Sequence, residues 1–248
     1  DDIKNTYLPN GFSNFKIEGQ RSVYESSSSH KFEGEKGIIG LKPFTMTYSS
    51  YPGIMFSGDD FYTIDKHLAI MQTSLSVINI YQYKNAIDSK TYIPEYMRIM
   101  IINFLSKTAE EWTNNYLSLF KGNHLYETTW MIVDFDKIKE DKKYFYVVEE
   151  LPKSVKYIDY SQSLDNETFF GSFNIPFFKD THSNIVGMHH FVNTDFYDKF
   201  NNPRRYILKH LQNTIKDLES FEKVLMYNGF QVKNESIPDD PSFNDAGD

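Results

Sequence analysis

The sequence predicts an α+β fold, and three observations point to it. Short runs rich in Phe, Tyr and Thr dominate residues 41–81, apolar residues recur at helical spacing after residue 94, and strand-like runs return after residue 129. Strand runs, then helices, then more strands place sheet and helices in separate blocks along one chain. No repeat or linker divides it.

Residues 1–37 are polar and weakly periodic, with Ser26-Ser27-Ser28-Ser29 reading as loop. Leu41 to Tyr51 predicts a strand, ended by the turn pair Pro52-Gly53. Leu68 to Tyr81 predicts another. Ala69, Met71, Leu75 and Val77 share one face of it; Gln72, Ser74 and Ser76 share the other, bracketed by Ile70 and Ile78. The polar middle is either a partly solvated face or the lining of a cleft. Tyr96, Met97, Met100, Ile101, Phe104 and Leu105 predict a helix. Thr108-Ala109-Glu110-Glu111 has capping-box form and starts a second, carrying Trp112, Tyr116 and Phe120 and stopped by Gly122. Trp130–Phe135, Tyr144–Val148 and Phe169–Ile175 read as strands. Asn202 and Pro203 open the last and longest helix, as N-cap and first-turn residue. Its stripe of Ile207, Leu211, Ile215, Leu218, Phe221 and Leu225 is expected to face the core, with Gly229 closing it. Residues 231–248 read as an extended tail, rich in Pro and Asp from Ile237 onward.

A net charge of −8 argues against a nucleic-acid partner, which calls for a basic face. No run of about 18 apolar residues spans a membrane. With no cysteine, the chain holds no disulfide, no Cys-bound zinc and no thiol nucleophile. Asp1-Asp2-Ile3-Lys4-Asn5 reads as an internal or processed start. Sequons at Asn166-Glu167-Thr168 and Asn234-Glu235-Ser236 lean towards the secretory pathway.

The seven His are scattered without HExxH spacing, and no GxSxG, GxxxxGK[ST] or GxGxxG occurs, so no metal or cofactor is expected. Gly58-Asp59-Asp60 is either a sharp turn or a pair of carboxylates able to hold a cation. Asn174, before Ile175-Pro176, either caps a strand end or donates to a developing oxyanion. Arg204 lies in the first turn of the last helix, where a cation opposes the helix dipole; it is either a surface residue or offset by an anionic partner.

Taken in order, these segments resemble a known family. Ser49-Ser50-Tyr51-Pro52-Gly53 and Phe56-Ser57-Gly58-Asp59-Asp60-Phe61-Tyr62 are similar to the SSYPG…SGDDFY signature of phospholipase B-like proteins. Residues 130–135 (WMIVDF) are similar to its WMIVDY, 149–152 (EELP) to its EQIPG, and 166–178 (NETFFGSFNIPFF) to its NQTYWASYNIPYF. Asn202-Pro203-Arg204 and residues 225–230 (LMYNGF) resemble its NPRA and LMRYNDF. The seven segments are collinear over residues 49–230, within a central region of 38–230; residues 1–37 match poorly.

The resemblance implies an αββα layered sandwich of the N-terminal-nucleophile hydrolase type, incomplete in this chain. It implies a proenzyme that cuts itself before a Cys, whose freed amine serves as its own base. The substrate would carry an acyl ester or amide bond, nominally in a phospholipid, and the setting would be a lysosome, another acidic vesicle or the secreted phase. Asn174 matches the expected oxyanion donor, Arg204 the residue that orients the nucleophile or anchors an anion, and Ser74 a hydroxyl position in the family's METT. The nucleophile would come from outside this chain. Further segments of the same protein, or another chain, would complete the fold over apolar surface left exposed here. Two departures favour an alternative, a catalytically inactive relative kept as a lipid- or protein-binding subunit. Leu125-Tyr126-Glu127-Thr128-Thr129-Trp130 replaces the family's TYNNQW, and its HxTW segment is not recognisable.

Overall fold

The computed structural model describes residues 15–18, 21–26, 31–32, 39–40, 44–50, 54, 56–57, 60–65, 67–75, 83, 93–119, 127–140, 142–152, 154–179 and 202–227. Among them the fold is α+β. Ten strands occur: β1 (Phe15–Glu18), β2 (Arg21–Ser26), β3 (Lys31–Phe32), β4 (Ile39–Gly40), β5 (Phe44–Ser49), β6 (Phe61–Ile64), β7 (Leu68–Ser74), β8 (Thr128–Asp134), β9 (Phe145–Leu151) and β10 (Ser154–Asp159). Eight of them form one antiparallel sheet in the order β1-β2-β5-β6-β7-β8-β9-β10, and β3 pairs with β4 apart from it. The helices are α1 (Glu95–Leu105), α2 (Ala109–Leu119), α3 (Phe135–Lys139), α4 (Ser161–Glu167), α5 (Pro203–Leu211) and α6 (Leu218–Leu225).

The sheet's two faces bury different partners. On the first, Met46, Ile70, Trp130, Ile132 and Val148 pack against Ile99, Ile102, Trp112 and Tyr116 of α1 and α2. An ionic network lies inside this layer. Arg98 of α1 donates to Glu150 at 2.5 Å and to the Tyr116 hydroxyl at 3.2 Å, and also pairs with Glu95. Tyr116 hydrogen-bonds Glu150 in turn, and the Trp130 indole donates to the Tyr116 oxygen at 3.2 Å. Arg98 is 3% exposed and Glu150 fully buried, so each charge needs the other to offset desolvation. On the second face, Met131, Phe145 and Val147 pack under Tyr160, Leu164, Phe170 and Phe177. α4 and the segment after it therefore cover this face.

Five expectations change. The 1–37 segment carries β1 to β3; Phe15-Lys16-Ile17-Glu18 already alternates, but over only four residues. In β7 the buried face is Leu68, Ile70 and Gln72, while Met71 is 36% exposed. Gln72 is buried because it pairs: with its amide turned to suit its neighbours, it donates to Asp60 and accepts from Thr128. The predicted strand beyond Leu75, like the tail, lies outside the described residues. Residues 169–175 are not a strand; they form a loop held by side chains rather than by a ladder. The last helix is two. A 3-10 turn at Gln212–Thr214 ends α5, the Thr214 hydroxyl donates to the Leu211 carbonyl, and an Asp217–Ser220 capping box starts α6. The apolar stripe is broken accordingly: Ile207 is buried, but Leu218 is 72% exposed.

Candidate active site

The site begins with the start of α5. Asn202 accepts from the main-chain N–H groups of Arg204 and Arg205, at 3.0 and 3.3 Å, and Pro203 needs no acceptor in the first turn. Arg204 is thereby aimed at residues 171–178. One terminal nitrogen of its guanidinium donates to the Phe173 carbonyl at 2.7 Å and to Asn174 Oδ1 at 2.9 Å. Asn174 Nδ2 donates at 2.8 Å to the main-chain carbonyl of Ser74, at the end of β7. Three residues separated by up to 130 positions thus meet at one point. The Asn174 backbone is left-handed, with φ 58°, a conformation Asn tolerates better than most residues.

The loop is tied down on both sides of Asn174. The Ser172 hydroxyl bonds that of Thr73, and the Phe177 N–H donates to the Glu149 carboxylate. Phe173 folds back over Gly171, and an added Cβ would stand 2.5 Å from that ring, which would have to move. A cavity of about 90 Å³ remains between loop and sheet, lined by Thr129, Phe170, Ser172, Ile175 and Phe177 among others. A larger cleft of about 680 Å³, lined by Asp134, Lys143, Asp159 and Asp165 among others, includes none of Ser74, Asn174 or Arg204.

Asn174 and Arg204 arrive as donors and acceptors, but Ser74 does not contribute what its residue type suggests. Its carbonyl is the bonded atom; the residue is exposed and stands opposite the buried Thr128 in the β7–β8 register. Thr73, one residue earlier and therefore on the other face, brings the hydroxyl to the loop. Thr73, Ser172 and Glu149 carry no signal of their own in the sequence, although Glu149 and Ser172 lie inside the 149–152 and 166–178 segments and Thr73 precedes Ser74. Glu127 precedes β8, and its main-chain carbonyl accepts from Leu75 N–H at 3.0 Å, beside Ser74. Burial pushes its carboxyl up to about 7, and its own main chain offsets this only in part. Asp60 is left-handed at φ 55° and takes the Gln72 N–H on its carbonyl, in keeping with a turn. Among the described residues no three His, Asp or Glu side chains are grouped to hold a metal.

The family model described as phospholipase B matches residues 30–241. The chain belongs to the phospholipase B family. It is 31% identical over 192 residues to phospholipase B of Crotalus adamanteus, covering 75% of this chain and 34% of the relative. To phospholipase B-like 1 of Rattus norvegicus it is 30% identical over 198 residues, 75% of this chain and 34% of the relative. To phospholipase B-like protein A of Dictyostelium discoideum it is 32% identical over 227 residues, 85% and 37%. The chain therefore spans about a third of the length of the curated relatives it matches. Asn174, Arg204, Ser74, Thr73 and Glu149 all fall inside the matched region.

Proposed function

We propose that this chain forms the oxyanion-binding part of a hydrolase that cleaves an acyl ester or amide bond, nominally of a phospholipid, with the nucleophile supplied from outside these residues. The observation that supports this reading is the Asn174 side chain, bonded at Oδ1 by a cation and at Nδ2 by a carbonyl. Nδ2 carries two hydrogens, and one is used on Ser74. The other is a donor of fixed direction, and the guanidinium on Oδ1 polarises the amide to strengthen it. Attack on a substrate carbonyl places negative charge on its oxygen, and a preorganised donor stabilises that charge without having to reorient. A lipid or a small amide or ester meets this chemistry equally. The setting we infer with it is a lysosome, another acidic vesicle or the secreted phase.

The test is Asn174→Ala in the full-length protein, with hydrolysis of a phospholipid ester and of a small amide measured in parallel. The expected result is a fall in kcat of about 10²–10³ with little change in KM. Unchanged turnover removes Asn174 from the mechanism. Glu127 favours a second reading, the inactive binding subunit, because a carboxyl that burial pushes up to about 7 stands where the family's TYNNQW carries an amide. That reading requires no hydrolysis at any pH together with retained binding to lipid vesicles or a protein partner.

A further inference from the structure

We propose that Glu149 is a positioning residue for the Asn174 amide, acting through the main chain of Phe177; this rests on the hydrolase reading above. Glu149 lies in β9, paired with Thr129 of β8 on one side and Lys156 of β10 on the other, and is 1% exposed. A carboxylate so buried is retained where main-chain N–H groups or cations meet it. The Phe177 N–H is such a donor. Its place in the loop explains why it is used. Pro176 has no N–H, so Phe177 carries the first main-chain donor after Ile175.

Asn174 is left-handed, and a non-glycine residue stays there only where its surroundings fix it. Two anchors do so. Ser172 is held by Thr73 two residues before Asn174, and Phe177 is held by Glu149 three residues after it. Both anchoring side chains stand on interior strands of the sheet, and strands place a side chain more rigidly than a loop can. Arg204 alone, reaching from α5, fixes the amide oxygen but not the path of the chain through Ile175 and Pro176. Without Glu149 the C-terminal half of the loop is free to relax, and the second Nδ2 hydrogen loses its direction.

The test is Glu149→Ala and Glu149→Gln in the full-length protein, with turnover, hydrogen exchange at Phe177 and the Asn174 side-chain amide NMR signals read together. Glu149→Ala is expected to lower kcat by about 10–10²-fold with KM little changed, to speed Phe177 exchange and to shift the Asn174 signals. Glu149→Gln keeps an acceptor of the same shape and is expected to recover most of the turnover. Should Glu149→Ala not fold, Glu149→Gln carries the same readouts at smaller amplitude. Unchanged Phe177 exchange overturns the assignment whatever the activity does, as does an unmoved Asn174 amide. If Asn174→Ala leaves turnover intact, the hydrolase reading has failed instead, and the exchange rate and amide shift alone decide the role of Glu149.

Discussion

Thr129 faces the cavity beneath the loop with its hydroxyl buried and unbonded, in a residue only 1% exposed. A buried hydroxyl without a partner costs about 1–3 kcal/mol of desolvation, which an isosteric apolar group avoids. Thr129→Val is therefore expected to leave the fold unchanged and to raise stability by up to about 1 kcal/mol, read as a higher urea midpoint. A lowered midpoint would show that the hydroxyl has a partner in solution. Thr73, its neighbour across the β7–β8 pair, differs in kind, since its hydroxyl holds Ser172. Two threonines side by side on one face thus divide into a contact that positions the loop and an atom that does not. Residue type alone could not separate them.

At the scale of the element, α6 is the clearest dependence on a single side chain. It has eight residues, below the length at which an isolated helix holds in water, and its start rests on the reciprocal Asp217–Ser220 box. Asp217→Ala is expected to cost about 1 kcal/mol and to speed amide exchange in 218–225 while leaving α5 unchanged. Equal exchange in both helices would mean that packing, not the cap, sets its stability. The same pair shows where local pattern fails. Spacing from Ile207 to Leu225 is helical throughout, yet it says nothing of the cap inside it. Spacing places α1 and α2, and Thr108 does bond the Glu111 N–H as its position suggests, but in α1 the recurring apolar residues are not the buried side: Arg98, Ile99, Ile102 and Asn103 are buried, while Tyr96, Met97, Ile101 and Leu105 are exposed. The loop at 169–175 reads as strand because its aromatics are strand formers, while left-handed Asn174 breaks the extended run and Pro176 has no N–H to give a ladder. Asn174 and Arg204 are legible as parts of motifs. Thr73–Ser172 and Glu149–Phe177 join residues 99 and 28 positions apart and leave no periodic trace.

Across the whole molecule, burial shapes the response to pH. It holds Glu127 at about 7 and raises Glu150 and Glu95, although Arg98 pulls both of the latter down. For a carboxyl raised in the folded state, the unfolded chain loses its proton first, near 4.5. The stabilising contribution is complete below that value and is lost as pH rises through the folded pKa. The melting temperature is therefore expected to be higher at pH 5 than at pH 8, and a Glu127→Gln/Glu150→Gln variant to show a flatter profile. A melting temperature that falls on acidification would contradict this. α1 also leaves Met97, Ile101 and Leu105 between 41 and 47% exposed on its outer side.

The adjacent carboxylates of β9 have a consequence for how the sheet assembles. Glu150 points into the helical layer towards Arg98, and Glu149 points through the opposite face to Phe177. A shift of β9 by one residue exchanges its faces. One direction sets Val148 under the Phe177 N–H, and the other sets Leu151 against the Arg98 guanidinium. Either mispaired strand strands a buried donor, so the Glu149-Glu150 dipeptide works as a key that only one alignment of the central strands will turn.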